Sequence, residues 1–279
     1  MILTVLVPAH NEGPWIRDCL TAILASHPLP ADIGGEVLVL ANGCTDDTAE
    51  IARSMTQAAQ GKGWQLRVVE IEQGGKLNAL NEGDRHANGA IRVYVDADVI
   101  VDPALLPQIA KRLNTLQPRY ASGRPRIAKA SHWITRAYAG FWSRLPFMTR
   151  GVPGFGVFAV NAAGRARWTQ WPDIISDDTF ARLSFAPDER IGVEAGYVWP
   201  MVEGFSNLVR VRRRQDAGVA EIRKNFPKLL RNDEQVSLAK SDLLRLFLRD
   251  PLGFLVYAAI TLAVRSPLHA SADRWARGR

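Results

Sequence analysis

The chain has 279 residues, 47% hydrophobic and 23% charged, without a low-complexity tract or fixed-period repeat, which excludes a disordered or fibrous protein. Two cysteines, Cys19 and Cys44, are too few for a disulfide framework and lack zinc-site spacing, which fits a reducing compartment and a cytoplasmic chain. The formal charge of +7 favours phosphorylated substrates or an acidic membrane leaflet. Nucleic acid is not expected, because no recognition-helix, zinc-finger or RNA-binding signature accompanies the basic residues.

Met1-Ile2-Leu3-Thr4-Val5-Leu6-Val7-Pro8 lacks a basic flank and is too short for a signal peptide, so it reads as a first strand. Short apolar, β-rich runs predict strands at residues 2–7, 36–41, 66–71 and 91–95. Between them, helical spacing of apolar residues predicts helices at 14–25, 46–59 and 76–87, the second capped by Thr45 or Asp46. This alternation predicts an α/β fold with a doubly wound, mostly parallel sheet, whose ligands bind outside the carboxyl ends of the strands.

Polar sequence collects at those ends: Pro8-Ala9-His10-Asn11-Glu12, Asn42-Gly43-Cys44-Thr45-Asp46-Asp47-Thr48, Gly74-Gly75-Lys76-Leu77-Asn78 and Asp96-Ala97-Asp98. Four separate loops are thereby expected to converge on one ligand. Beyond residue 103 the pattern is less regular. A Trp- and Arg-rich stretch at 131–150 precedes Gly151-Val152-Pro153-Gly154-Phe155-Gly156, and a second acidic cluster, Ser176-Asp177-Asp178-Thr179, follows. The expected organisation is one domain over 1–240, with a first half (1–102) and a smaller mixed half (103–240). A helical tail over 241–279 completes it.

Asp96 and Asp98 emerge where a strand ends, so both carboxylates can face one hard cation, Mg²⁺ or Mn²⁺, that also binds substrate phosphate. A D-x-D recurs by chance about once in a chain this long, and its bland alternative is a solvated turn. The neighbouring motifs raise its weight. Lys76 opens a helix behind two glycines, where backbone N–H groups and an ammonium face a phosphate or sugar-nucleotide ring. Asn42 and Asp47 suit a base or ribose, or else an Asx turn with helix capping, which explains Asp46 better. His10 reads as a loop residue rather than a catalyst.

Together with Gly154-Phe155-Gly156-Val157-Phe158-Ala159, these segments resemble, over most of residues 1–216, family 2 of the inverting glycosyltransferases with the GT-A fold. The resemblance implies that the first three segments, with Pro8, His10, Asn11, Glu12, Asn42 and Lys76, hold a nucleoside-diphosphate sugar. It implies Asp98 as main metal ligand, Asp96 on ribose or metal, and Asp178 as catalytic base. Asp177 stands where the family has Glu, and Asn42 where it often has Asp, which leaves the nucleotide base open.

The chemistry needs two carboxylate clusters. Negative charge grows on the leaving diphosphate and is met by a cation. A positioned carboxylate takes the acceptor's proton, worth roughly 10²–10⁴-fold. Asp177 and Asp178 also suit the first turn of a helix, and both readings can hold at once.

The basic run Arg210-Val211-Arg212-Arg213-Arg214-Gln215, and Arg213 within it, is expected to close over the diphosphate, its alternative being a solvated basic strand or a lipid contact. The Q-x-x-R-W motif of processive family members is missing, and no run of 18 apolar residues builds a membrane channel, so one sugar per encounter is expected. The apolar stretch 251–264, beside Arg245, Arg249 and Arg265, suits an interfacial helix on acidic lipid or a core-packing helix. The implied activity is metal-assisted, inverting sugar transfer to a hydroxyl of a lipid-linked or growing glycan, on the cytoplasmic side of a membrane. Two rivals remain: a nucleotidyltransferase, which needs a glycine-rich basic loop after the first strand, and a non-catalytic sugar-nucleotide or glycan-binding protein.

Overall fold

The computed structural model describes residues 1–149, 151–234 and 240–266. Arg150, at the end of the Trp- and Arg-rich stretch, and tail residues 267–279 lie outside the described residues.

The first half runs β1 (Ile2–Ala9), α1 (Gly13–Leu24), β2 (Gly34–Asn42), α2 (Thr48–Ser54), α3 (Thr56–Gly61), β3 (Trp64–Ile71), α4 (Lys76–His86) and β4 (Ile91–Val95). These four strands are parallel in the order β3-β2-β1-β4, with Val5 level with Val37 on one side and Val93 on the other. The central strands are buried on both faces, which is why they read as continuous apolar runs rather than as alternation. The helix expected over 46–59 is divided. The N–H of Met55, whose side chain is buried, bonds back to the Ala52 carbonyl, tightening the turn between α2 and α3.

The second half continues with β5 (Ile100–Val101), α5 (Leu105–Leu113), β6 (Tyr120–Ile127), α6 (Trp133–Trp142), α7 (Pro146–Thr149), β7 (Val157–Asn161), α8 (Ala162–Arg165), α9 (Asp177–Leu183) and β8 (Arg190–Trp199). Its strands extend the same sheet in the order β4-β7-β6-β8-β5. β7 runs antiparallel to β4 and β6, β8 parallel to β6, and β5 antiparallel to β8. The sheet is therefore parallel in its first half and mixed in its second.

One face is covered by apolar side chains of α1, α2, α3 and α5, including Ile16, Leu20, Ile23, Leu106 and Ile109. The other face carries α4 and α9 over an aromatic layer of Tyr94, Phe158, Trp171 and Phe180. On α4, a Cβ at Gly83 would stand 2.5 Å from Leu40 Cδ1, so glycine sets how closely this helix, and Lys76 at its start, lies on the sheet.

The described residues continue with α10 (Phe205–Asn225), α11 (Lys240–Arg249) and α12 (Pro251–Arg265). α6, α10 and α12 share a third core of Tyr138, Phe141, Trp142, Leu208, Val209 and Ile260. Tyr257 stacks on Tyr138 at 5.6 Å, and Phe254 meets Phe141 edge-on. Arg144 pairs with Asp250 at 2.6 Å, and Asp250 caps α12 through the Gly253 N–H. The inner face of residues 251–264 thus packs as a core helix. The outer faces of α11 and α12 leave Leu244, Leu248, Leu252, Leu255 and Leu262 between 57% and 70% exposed. Among the described residues no single helix is long and apolar enough to cross a membrane; α11 and α12 together have the length and composition to do so but are bent by 117°.

Candidate active site

The ends of β1, β2 and β4 and the start of α4 surround a cavity of about 540 Å³ lined by Pro8, His10, Glu12, Asn42, Gly75, Lys76, Asp96, Asp98 and Arg214. The loops that form it are tied to one another. The Asn42 amide donates to the Ala9 carbonyl at 2.8 Å and accepts from the Gly75 N–H at 3.0 Å, while His10 Nδ1 donates to the Asn42 carbonyl at 2.6 Å. Both ends of the Asn42 side chain are committed to backbone, so it lines the cavity but works as a clip between three loops. Asn11, which adopts a left-handed φ of 51°, accepts from the Thr45 N–H at 2.7 Å and does not line the cavity. Asp46 accepts from Gly13 and Thr48; these bonds outweigh burial and hold its carboxyl below the usual range. Asp47 occupies the N-cap position of α2.

Lys76 is the centre of the arrangement. Gly75, at φ +131°, supplies a backbone turn that other residues rarely adopt, and Lys76 follows as the first residue of α4. Its ammonium lies 2.9 Å from Asp96 Oδ1 and 3.1 Å from Asp177 Oδ2, joining the strand-end turn of the first half to α9 of the second. Burial alone would push the ammonium's pKa down. The charges of Asp177, Asp96 and Asp178 prevail and hold it well above the usual range, so Lys76 stays a cation.

Asp96 is fixed by its N–H, which donates to the Gly156 carbonyl at 2.9 Å. Gly156 has φ +74°, and a Cβ there would come within 2.6 Å of Trp199. The glycine-rich segment therefore lets the backbone approach the acidic turn.

A second cavity of about 540 Å³ adjoins the first and shares Pro8, Lys76, Asp96 and Arg214 with it. Asp177 and Asp178 open onto it from the first turn of α9, where the helix dipole favours carboxylates. Asp178 accepts from the Thr179 N–H at 2.6 Å. Burial, reinforced by the charge of Asp177, pushes its carboxyl up from 3.8 to about 6, against the pull of Lys76. Trp142, Phe147, Phe155 and Trp199 build an apolar wall opposite.

The basic run lies inside α10 rather than in a strand. Val211, Gln215 and Val219, spaced by four, turn one face of that helix to the cavity, with Arg212 and Arg214 beside them. Arg213 lines neither cavity. Its guanidinium donates to the carbonyls of Ala263 and Val264, at 2.7 and 3.0 Å, and of Ser266, capping α12. Arg214, which the sequence reading did not single out, takes the place facing the cavity. One residue turns a helical side chain by about 100°, so neighbouring arginines of the run face different surroundings, and which of them meets the cavity follows from how α10 is seated.

Asp96 and Asp98 offer hard oxygen donors beside Lys76 and Arg214. Two carboxylates leave the remaining positions of a six-coordinate ion to phosphate oxygens and water. Among the described residues no group of three or more His, Cys, Asp or Glu is placed to hold an ion by itself. The donor set fits an ion shared with a bound diphosphate.

Fold and site together define a GT-A type α/β protein, with polar loops gathered at the carboxyl ends of its parallel strands. Residues 4–167 match the family model described as glycosyl transferase family 2, and the chain belongs to that family. It is 37% identical over 97 residues to glycosyltransferase AglE of Haloferax volcanii, covering 34% of this chain and 30% of that protein. It is 31% identical over 166 residues to 4,4'-diaponeurosporenoate glycosyltransferase of Staphylococcus aureus, covering 58% and 40%. The matched segments thus span less than half of these relatives. The fold is shared with mannosyltransferase PcManGT of Pyrobaculum calidifontis, solved with GDP-Man and Mn²⁺, at a TM-score of 0.59 and 21% identity over 95% of this chain and 76% of that one.

Proposed function

We propose that the protein transfers a sugar from a nucleoside-diphosphate sugar to a hydroxyl of a lipid-linked or glycan acceptor, with inversion at the anomeric carbon. The observation that carries this reading is the single Lys76 ammonium between Asp96 and Asp177, which sets the diphosphate-side cavity and the Asp178 cavity edge to edge. Lys76 and Arg214 face the diphosphate, on which negative charge grows as the bond from the anomeric carbon to phosphate oxygen breaks. Asp178 takes the acceptor hydroxyl's proton while the acceptor oxygen bonds to that carbon from the opposite face. With a pKa near 6 it is ionised at neutral pH yet still basic enough to serve. Asp177 holds Lys76. Asp98 and Asp96 would hold Mg²⁺ or Mn²⁺, which when bound supplies Lewis-acid stabilisation of the leaving diphosphate.

The acidic carboxylates at both cavities favour this reading over a non-catalytic binding protein. The exposed leucines of α11 and α12, with Arg245 and Arg249 exposed beside them, support work at an anionic, cytoplasmic membrane face. Release of nucleoside diphosphate from a panel of nucleotide sugars, with NMR of the product's anomeric configuration, tests the transfer. Release by wild type that is lost in Asp178→Asn supports it; equal release by both proteins refutes the base assignment.

A further inference from the structure

An apolar cavity of about 490 Å³ lies between α6 and α7 on one side and α11 and α12 on the other. Its walls include Phe147, Leu243, Phe254, Tyr257, Ala258 and Leu262. Its volume is that of a small-molecule site rather than a packing defect. Nothing in the transfer chemistry above uses it.

Two observations say what it holds. Phe147 and Arg212 line this cavity and the Asp178 cavity alike, so the groove adjoins the Asp178 cavity at these two side chains. At its other end, Leu243 and Leu262 are 41% and 68% exposed and continue into the leucine face of the two helices. An apolar groove rimmed by exposed leucines and adjoining the cavity of a carboxylate base suits a ligand that is polar at one end and hydrocarbon along the rest. Arg212 stands where the two cavities meet, its guanidinium held by the Tyr138 hydroxyl at 3.0 Å and by a 3.4 Å pairing with the half-exposed Asp216, an exchange of partner that an acidic group at this point would make.

We propose that this groove seats the hydrocarbon chain of the acceptor, which is a long-chain amphiphile with an acidic group at Arg212 and its reactive hydroxyl at Asp178. The proposal rests on the transfer reading for what happens at the hydroxyl end, but chain binding does not require turnover.

The test is calorimetric titration of the whole protein with n-dodecyl phosphate as monomer, n-butyl phosphate and inorganic phosphate, with nucleoside diphosphate binding measured in parallel. Dodecyl phosphate is expected to bind at least tenfold more tightly than the other two. Leu262→Glu, on an exposed position that tolerates charge, and Ala258→Trp, which fills the groove, are each expected to weaken it at least tenfold and leave nucleoside diphosphate binding unchanged. Equal affinity for the two alkyl phosphates, or unaltered dodecyl binding in both variants, overturns the proposal. So does binding to anionic vesicles without uptake of monomeric dodecyl phosphate, which makes the leucine face a bilayer contact. A change confined to self-association in sedimentation, which makes it a contact between copies, overturns it as well. Dodecyl binding with no nucleoside diphosphate binding leaves the groove standing and removes the transfer reading instead.

Discussion

Replacing Asp178 by Asn is expected to stabilise the protein while sharply lowering its turnover. The fold raises this carboxyl from 3.8 to about 6. As pH rises through that window the unfolded chain releases its proton first, so folding loses stability until the folded group also ionises. The loss reaches about 3 kcal/mol above the folded pKa and vanishes well below the unfolded one. Asn keeps a carbonyl oxygen for the Thr179 N–H and carries no charge to desolvate. The variant's advantage therefore grows by about 2 kcal/mol between pH 4.5 and pH 8, or by roughly 3–4 °C in Tm for a chain of this size. Urea and thermal unfolding of both proteins across that range measure it. An advantage independent of pH, or a variant less stable than wild type at pH 8, would refute the reasoning. Turnover falls about 10²–10⁴-fold in the same protein.

Lys76→Met leaves the buried Asp177 and its neighbour Asp96 without their shared cation, and is expected to cost about 2 kcal/mol in urea unfolding, less than the roughly 3–5 kcal/mol of a fully buried pair because Lys76 and Asp96 are 31% and 34% exposed. Because Lys76 pulls the Asp178 pKa down, the residual activity should rise at higher pH than in wild type; an unmoved pH profile would contradict the assigned coupling. Arg213→Ala should lower stability by about 1–2 kcal/mol through the exposed carbonyls of α12 and leave nucleoside diphosphate affinity within about twofold. Arg214→Ala should do the reverse, weakening that affinity about tenfold, as for loss of a charge-assisted contact. Identical behaviour of the two variants in both assays would show that the helix register does not separate their roles. Flotation with anionic vesicles is expected for wild type and lost in Leu248→Glu/Leu252→Glu; flotation of neither protein would remove the membrane surface from the account.

The parallel half was legible because β1 to β4 are buried between neighbours and interleaved with amphipathic helices, so their apolar runs stand out. The mixed half was not. β6 contains Gly123, Pro125 and two arginines, and the whole of it is defined by pairing with β8, distant in the chain. The polar loops were found because the topology of parallel strands gathers their carboxyl ends on one edge. What each residue does there depended on hydrogen bonds that no spacing displays. Asn11 and Asn42 spend their side chains on holding loops together, while Lys76 gains its central place only when α9 packs across it. The exchange of Arg213 for Arg214 has the same origin, since a basic run tells nothing of register until its helix is seated on α6 and α12.

The central claim is that Asp96, Asp98 and Lys76 form a diphosphate and metal site, and thermal unfolding against a panel of nucleoside diphosphates, each with and without Mn²⁺, tests it most directly. Stabilisation by one nucleotide that requires the metal and disappears in Asp98→Ala is the predicted result, about 2.7 kcal/mol at a hundredfold excess over Kd. Absence of any shift, or a shift that Asp98→Ala retains in full, would contradict it.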